Sequence, residues 1–513
     1  MLFATVLGSG VVFLDSTVVN VALPKIGQQL HSGLFGQLEG QAYVYNGYLL
    51  SLSALLILAG ALNDYYGRRR MFSLGVAGFG ISSVGCGLAP TMEVLILMRV
   101  VQGAFGALLV PASLSLITAN FEGEAQGRAF GIWAAATTFT VILGPFIGGV
   151  LVDAISWRAA FLINVPLVLA TLAAVRNVPE SHDEQASGDF DWVGALVIGV
   201  GVGGLAFGAI YGQQRQWHGS LPFISIAVGA VAVIAFPFLM ARSRHPLVPL
   251  ELFKSRNFAV TNISTFVIYG ALYITFLFLT LFLQGTIGYT AAAAGLAGLP
   301  GSVILAVAST RVGSLAGRFG PRWFMAAGPA LMAVGLFLLF FLPAGVAPWK
   351  LAVDRPSTYL PPVDYFTRIF PALVVWGAGL ALTVAPLTTA LMRSVPVQNS
   401  GLASSINNAV SRVGPQLAGA ATFVAISTQF YAQLAGKLPG VDLASAAVRQ
   451  KLSPLNQPDM ALTPSALAAV HQADADAFHV AVGFCCALLL AGAVVNAIGI
   501  RNAPAGGEAT PPD

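Results

Sequence analysis

Charged residues are scarce in this sequence of 513 residues: Asp, Glu, Lys and Arg make up 9% of it, whereas hydrophobic residues make up 56%. A soluble domain carries about 25% charged residues, so these charges cannot cover the surface of a water-soluble protein. The net charge of +4 is small and the basic residues are scattered, which argues against a nucleic-acid partner. We therefore predict an integral membrane protein that lies in the lipid bilayer.

Cysteines and catalytic motifs are also scarce. The three cysteines, Cys86, Cys485 and Cys486, lie in apolar stretches, and two of them are adjacent. We interpret them as small apolar residues and not as a disulfide or a metal site. The sequence contains no GK[ST] tripeptide and no HExxH motif, which excludes a P-loop ATPase and a zincin-type protease. We expect no cofactor, no metal and no enzymatic activity.

Long apolar segments, in contrast, are abundant. A membrane-spanning helix needs about 20 mostly apolar residues, and fourteen segments meet this requirement. The fold class that we predict is an all-α polytopic membrane protein with fourteen transmembrane helices. The predicted segments are 3–22, 42–62, 71–90, 93–119, 128–152, 159–176, 192–211, 222–240, 257–283, 291–311, 323–342, 368–392, 401–429 and 478–499.

The distribution of basic residues predicts the orientation of these segments. Arginines such as Arg68, Arg176 and Arg242 follow every second segment, and the short loops on the other side contain few basic residues. Because cytoplasmic loops are enriched in Lys and Arg, we predict that both termini lie in the cytoplasm. The longer loops 343–367 and 430–477 then lie outside, either as ordered caps or as simple linkers.

The chain contains a weak internal repeat. Residues 60–70 read GALNDYYGRRR and residues 313–322 read GSLAGRFGPR, each after an apolar segment on the predicted cytoplasmic side. Two parallel halves of this kind are a known transporter plan. The aligned positions are Gly60 with Gly313, Leu62 with Leu315, Gly67 with Gly320, and Arg69 with Arg322.

Three charged residues lie inside predicted helices: Asp15, Arg99 and Arg412. Asp15 is the only carboxylate that we place well inside a helix. A charge at this depth costs several kcal/mol unless it is paired, hydrated or neutralised. Asp15 is therefore either a satisfied structural acid or a proton-binding group. The two arginines are either structural anchors or functional partners.

A glycine-rich run lies in the fifth predicted helix, where LGPFIGG contains Gly144, Pro145, Gly148 and Gly149. The proline removes a backbone donor and can bend the helix. Gly144 and Gly148 form a small-xxx-small face that favours close helix packing. We therefore predict a bend at a helix interface here.

Taken together, these motifs resemble the major facilitator superfamily in its fourteen-helix drug:proton antiporter branch, over essentially the whole chain. Residues 14–24 (LDSTVVNVALP) resemble the helix 1 signature, and residues 60–70 resemble the signature of the loop between helices 2 and 3. Residues 95–107 resemble the helix 4 signature, with Arg99 and Gln102 in place. Further matching segments are 144–149, 157–166 and 401–420.

The resemblance implies a six-helix bundle at 1–176, a linker with two extra transmembrane helices at 177–256, a second six-helix bundle at 257–499 and a cytoplasmic tail at 500–513. It implies a cell-membrane transporter that exports small hydrophobic or amphipathic compounds by alternating access, with protons as the coupling ion. The alternatives are an uptake permease of the same fold, or a membrane sensor or scaffold without transport activity.

The resemblance also assigns roles to residues. It implicates Asp15, Arg99 and Gln102 in proton coupling and the substrate cavity. In the second half we single out Tyr269, Tyr273, Asn407 and Arg412, although packing or an interfacial anchor explains each tyrosine better than a role in a pocket does. The residues implied in a gating loop are Gly60, Asp64, Gly67, Arg68, Arg69 and Arg70, and those of the helix 5 antiporter motif are Gly144, Pro145, Gly148 and Gly149.

The sequence departs from the family pattern at two places. Tyr65 occupies a loop position that is usually basic, and Gly317 stands in the second half where Asp64 stands in the first. The second loop therefore cannot form a carboxylate latch of the same kind. Predicted helix 13 contains Asn407 and Asn408 but no acid, which argues against a dedicated dicationic substrate.

Overall fold

The computed structural model describes residues 1–121, 123–181, 189–352, 354–395 and 400–502, except for some helical side chains, that of Asp64 among them. These residues form α-helices without any strand, which confirms the predicted fold class. The helices are α1 Leu2–Gln29, α2 Gln37–Tyr66, α3 Arg68–Gly87, α4 Met92–Asn120, α5 Gly123–Ala154, α6 Ala159–Leu162, α7 Asn164–Val175, α8 Trp192–Gln214, α9 Leu221–Arg242, α10 Arg256–Leu281, α11 Ala291–Ala297, α12 Leu299–Phe319, α13 Arg322–Leu339, α14 Phe370–Met392, α15 Ser400–Leu434, α16 Ala446–Lys451 and α17 Pro464–Gly499.

Within the described residues, ten helical segments are long and apolar enough to cross a membrane, and two shorter apolar helices cover 139–154 and 159–175. One of the ten combines α11 and α12, which are separated only by Gly298. The count of fourteen membrane crossings stays a prediction. The domain boundaries and the cytoplasmic tail also stay predictions, and residues 182–188 of the linker and 503–513 of the tail lie outside the described residues.

Two predicted helices are longer than their apolar content indicates. Helix α1 continues past Pro24 to Gln29, so that about 21 Å of helix follows Asp15 at 1.5 Å per residue. Helix α17 begins at Pro464 and not at 478, and the side chain of Thr463 caps it. This N-cap with proline in the first turn is a helix-start signal that a search for apolar segments does not detect.

The earlier start of α17 corrects the prediction that Asp15 is the only carboxylate well inside a helix. Asp474 lies inside this helix and is fully buried, so Asp15 is not the only acid within a helix. One oxygen of Asp474 accepts a hydrogen bond from the backbone N–H of Leu455, at 2.7 Å. Leu455 belongs to the predicted outer loop 430–477, which therefore includes an ordered cap and is not a simple linker.

The helices pack in two groups with the same order of neighbours. In the first half, α2 and α3 pack on α4, and α1 packs on α5. In the second half, α12 and α13 pack on α14, and α10 packs on α15 and α17. The pair α8–α9 contacts α2 and α15, and the halves also meet where α5 packs on α11.

Candidate functional site

A buried ion pair lies in the centre of the first half. Arg99 on α4 and Asp15 on α1 are 1% and 0% exposed, and a guanidinium nitrogen lies 2.5 Å from the carboxylate. Helices α1 and α4 are in contact, so two residues separated by 84 positions meet inside the bundle. The structure thus brings together the two charges that the sequence singles out in this half.

Amide side chains complete the surroundings of Asp15. The second carboxylate oxygen accepts hydrogen bonds from the side-chain nitrogens of Gln102 and Asn164, both at 3.0 Å. Arg99 also donates to the Gln102 oxygen at 2.7 Å. Ser83 links the two amides, because each of them donates to its hydroxyl. Each group that bonds to Asp15 is a donor, which is the complement of an ionised carboxylate.

An aromatic ring closes the network on the side of α2. The Arg99 guanidinium lies 4.1 Å from the centre of the Tyr48 ring, a cation–π contact. Arg99 Nε also donates to the carbonyl oxygen of Val44, at 3.3 Å. Helices α1, α2, α3, α4 and α7 therefore all contribute to one site. Movement of α2 relative to α1 and α4 would change the environment of the ion pair.

The sequence reading missed two members of this network, Ser83 and Asn164. Both are uncharged polar residues inside apolar helices, a weak signal compared with a buried charge. They are also 81 positions apart and meet only in the folded bundle. A search for buried amides and hydroxyls in the predicted first-half helices would include them, but among many others.

The turn between α2 and α3 is a single glycine with a positive φ. Gly67 has φ = 102°, a conformation that side chains with a Cβ rarely adopt. The carboxylate of Glu180 accepts hydrogen bonds from the backbone N–H groups of Arg69 at 2.9 Å and Arg70 at 3.1 Å. Arg68 N–H donates to Ser181. Glu180, which sequence reading did not select, therefore caps α3.

The repeat in the second half has the same turn but a neutral cap. Gly320 has φ = 85°, and the side chain of Asn502 lies against it. The Asn502 carbonyl oxygen accepts a hydrogen bond from the N–H of Arg322, at 3.2 Å. Glu180 follows α7, and Asn502 follows α17, so each turn is capped by the segment after the last helix of its own half.

Two other predicted gating residues, Gly60 and Asp64, lie near the end of α2. Gly60 lines a cavity together with Pro111 and Asp191, and no heavy atom of the described residues lies near the position of an added Cβ. The side chain of Asp64 lies outside the described residues. A bond between Asp64 and the arginines of α3 thus stays a prediction.

The glycine-rich run of α5 forms two contact faces. Gly144 and Gly148 face α1, where Cβ atoms added to them would meet Thr17 and Val18. Gly149 faces α11 in the second half, and its added Cβ would overlap the backbone of Ala292. Pro145 O likewise lies against Gly295 of α11. The predicted close packing is confirmed, and it joins the two halves.

Asp153 reinforces this junction. Its carboxylate oxygens accept hydrogen bonds from the N–H groups of Ala291 and Ala292 at 3.2 and 2.8 Å, at the start of α11. Gln284, seven residues before Ala291, donates a hydrogen bond to the carbonyl oxygen of Val21 on α1, at 3.0 Å. The halves thus share hydrogen bonds between the end of α5 and the start of α11, and between α1 and the segment that follows α10.

The predicted site residues of the second half lie in two environments, one of hydrogen bonds between helices and one of aromatic rings. Asn407 on α15 donates hydrogen bonds to Asn262 at 3.2 Å and Thr265 at 2.8 Å on α10, which makes it a link between helices. Arg412, one turn further along α15, lies 5.8 Å from the centre of the Tyr273 ring. Tyr269 and Tyr273 contact each other with ring centres 6.4 Å apart.

Comparison with known proteins gives relatives of one type. The chain is 35% identical over 415 residues to the multidrug resistance protein Stp of Mycobacterium tuberculosis, covering 80% of this chain and 73% of Stp. It is 30% identical to the tetracenomycin C resistance and export protein of Streptomyces glaucescens, covering 83% and 76%. It is 32% identical to a puromycin resistance protein of Streptomyces alboniger, covering 81% and 79%.

Solved structures show the same fold. An inward-facing, occupied structure of a bacterial homologue of the human lysosomal transporter Spinster aligns with a TM-score of 0.61 at 19% identity, over 98% of both chains. A D-xylose–proton symporter aligns with a TM-score of 0.56 at 14% identity, over 97% of both chains. The sequence also matches the model of the Major Facilitator Superfamily over residues 5–419. The chain therefore belongs to the Major Facilitator Superfamily and is a multi-pass membrane transporter of small molecules, not an enzyme.

Proposed function

We propose that this transporter exports small hydrophobic or amphipathic compounds across the cell membrane in exchange for protons. Three relatives whose names refer to drug or antibiotic resistance support the substrate class and the direction. The observation that carries the coupling is the buried pair of Asp15 and Arg99, within a network contributed by five helices. Uptake by the same fold remains the alternative.

The geometry supports a proton-binding role for Asp15 in the following way. Protonation would remove the negative charge that Arg99, Gln102 and Asn164 now surround with donors. The guanidinium would then be left without its counter-ion in a buried site, which is costly. A shift of α4 or α2 that rehydrates Arg99 or gives it another partner would relieve this cost. Proton binding and rearrangement of the bundle would thus be linked.

The purely structural role of the pair is the competing explanation. A carboxylate with an ion pair and two amide donors is fully satisfied, and such a group can hold helices together without titrating. The two roles differ in their consequences for coupling. A structural pair predicts normal proton flux in any variant that folds, whereas a coupling pair predicts loss of flux.

Proteoliposomes with an imposed pH gradient test the proposed function. We expect the purified protein to accumulate amphipathic dyes or aromatic antibiotics against their own gradient in the acidic compartment, because protons leave that compartment as substrate enters it. Collapse of the pH gradient with an ionophore should abolish accumulation. Accumulation that persists without any proton gradient would contradict proton coupling, and accumulation in the direction of proton movement would indicate symport and not antiport.

We also propose that both termini lie in the cytoplasm, on the basis of the arginines that follow every second predicted helix. Reporter fusions after residues 191 and 503 test this orientation independently of transport. Both fusions should report a cytoplasmic location. A periplasmic signal from either fusion would contradict the topology.

A further inference from the structure

A second buried arginine, Arg412, lies in a different environment from Arg99. It is near the middle of α15, Ser400–Leu434, and is 9% exposed. Its Nε is buried and has no hydrogen-bond partner within the described part of the chain. The ion pairs among the described residues also do not include it. Among the described residues, Arg412 therefore has no counter-ion, although its charge lies in the interior of a membrane protein.

The Arg412 guanidinium lies 5.8 Å from the centre of the Tyr273 ring on α10, and the other ionisable side chains that act on its charge electrostatically are Tyr45 and Tyr48 on α2 and Tyr269 on α10. No carboxylate of the described residues is among them. Phenol rings stabilise a guanidinium through their π-electrons, but they do not neutralise its charge. The Tyr48 hydroxyl is itself buried and without a hydrogen-bond partner among the described residues. Two unused polar groups of different helices thus face the boundary between the halves.

Residues that precede and follow Arg412 along α15 line two apolar cavities. Ala409, Val410 and Val413 line one cavity of about 190 Å³, whose remaining wall includes Leu50 of α2 and Val202 of α8. One turn further along, Pro415 and Gly419 line a second cavity, which Tyr45 also lines. The second cavity has a volume of only about 20 Å³, so the first cavity is the one that can hold the apolar part of a small molecule near this charge.

An unpaired charge at membrane depth costs several kcal/mol unless an ion or water compensates it. In the first half, the carboxylate of Asp15 compensates the charge of Arg99. The second half has no acid in α15, so the compensating charge must come from outside the helix. A ligand anion would supply it and would gain a charge-assisted hydrogen bond from Arg412.

We propose that Arg412 and the tyrosines around it bind the acid group of an organic anion whose apolar or aromatic body occupies the neighbouring cavity. The acid group would accept hydrogen bonds from Arg412 and from the Tyr48 hydroxyl. This inference rests on the proposed transport of small amphipathic molecules, and it specifies their charge. Chloride could provide the same charge, but it would leave the apolar cavity lined by Val410 and Val413 unused.

Binding of matched aromatic probes to the purified transporter tests the proposal. The probes are 1-naphthoate, the neutral 1-naphthylmethanol and the cationic 1-naphthylmethylammonium, which share one ring system. In chloride-free gluconate buffer we expect naphthoate to bind at least about tenfold more tightly than either other probe, since a charge-assisted hydrogen bond contributes about 1.5–3 kcal/mol. Equal affinity for the three probes in the wild-type protein would overturn the proposal without any variant.

Variants of Arg412 assign the selectivity to the site. Arg412→Gln should lower the affinity for naphthoate about tenfold and leave that for naphthylmethanol unchanged, and Arg412→Lys should retain part of the preference. Arg355→Gln, which removes an exposed outer arginine, controls for net charge and should not change binding. Unchanged naphthoate affinity in Arg412→Gln would overturn the proposal. Binding of chloride at Arg412 without any naphthoate binding would also overturn it.

These binding measurements need no gradient, so their outcome is separate from that of proton coupling. Selective, Arg412-dependent binding together with gradient-independent transport would retain the anion site and refute antiport. Proton-coupled transport without a preference for naphthoate would retain antiport and refute the anion site.

Discussion

Each half of this transporter buries an arginine within a long helix, but the two guanidinium groups have different surroundings. Arg99 has a carboxylate, an amide, a backbone carbonyl and an aromatic ring as partners. Arg412 contacts the Tyr273 ring, and its Nε has no hydrogen-bond partner among the residues that the structure describes. A fully paired charge suits a switch within one bundle, whereas an unpaired one suits recognition of a ligand. The comparison suggests that coupling and binding are divided between the halves.

Tyr48 connects the two sites. Its ring lies over the Arg99 guanidinium at 4.1 Å, and its phenol group is close enough to Arg412 of the second half for the two to act on each other electrostatically. A ligand that occupies the Arg412 site would therefore press on a residue that also contacts the coupling pair. This arrangement offers a physical link between substrate and proton, because both act on the position of α2.

The residues that cap the α2–α3 and α12–α13 turns show the same difference between a charged first half and a neutral second half. Glu180 brings a negative charge to the start of α3, and Asn502 brings a neutral amide to the start of α13. A carboxylate at a helix N-terminus gains from the helix dipole, so the first-half turn has the more strongly stabilised cap. The first half is thus the more charged at both its centre and its turn.

The largest effect is expected when one charge of the central pair is removed. Arg99→Ala leaves Asp15 buried without its counter-ion, which costs about 3–5 kcal/mol. We expect accumulation against a gradient to be lost in this variant. The double variant Arg99→Ala/Asp15→Asn removes both charges and should recover most of the lost thermal stability, but not coupled accumulation. Thermal unfolding and uptake into proteoliposomes measure the two properties, and recovery of accumulation in the double variant would contradict the coupling role.

A smaller effect is expected when the contact between the halves is disturbed. A side chain at Gly149 would overlap the backbone of Ala292 on α11, so Gly149→Leu should prevent the close approach of α5 and α11. We expect the initial transport rate to fall about tenfold, which corresponds to a bias of about 1.4 kcal/mol in the conformational equilibrium.

The matched control for this prediction is Gly483→Ala, because an added Cβ there lies 4.0 Å from the nearest atom of Phe340. Its transport rate should equal that of the wild type. A normal rate in well-expressed Gly149→Leu would show that the halves do not need this contact during the cycle.

The smallest effect concerns the caps of the two turns. Glu180→Ala removes the acceptor of two backbone N–H groups and should reduce stability by about 1 kcal/mol, as for other helix caps. Asn502→Asp adds a charge to the equivalent turn and should be neutral or stabilising by a few tenths of a kcal/mol. Thermal unfolding of both variants sharpens the comparison. A loss of stability in Asn502→Asp would contradict the favourable effect of a negative charge at the cap.

The sequence was sufficient for the fold and for the charged centre of the first half. Asp15, Arg99 and Gln102 stand out because charged and amide side chains are rare in apolar helices, and the structure places them in contact. Ser83, Asn164 and Glu180 could not be selected in this way. Ser83 meets Asn164, 81 positions away, Asn164 meets Asp15, 149 positions away, and Glu180 meets Arg69, 111 positions away, and only the packing of the helices reveals those partners.

The helix ends show a different limit. Apolar content predicts where the chain can cross a membrane, but α17 extends fourteen residues before its predicted start because hydrogen bonding and capping continue outside the apolar segment. Asp474 is buried in this extension, so an acid that looks like a loop residue in the sequence is an interior residue in the fold. The predicted segment 291–311 is likewise divided at Gly298.

Proton flux in purified Asp15→Asn tests the central claim most directly. Asparagine retains the size and the hydrogen-bonding carbonyl oxygen of the aspartate but cannot carry its charge or exchange a proton at neutral pH. Wild-type protein in proteoliposomes should move protons when substrate is added, as followed with a pH-sensitive dye inside the vesicles. The account predicts that folded Asp15→Asn gives no substrate-dependent proton flux while some downhill substrate movement persists. Wild-type proton flux in this variant would contradict the account and leave Asp15 a structural residue.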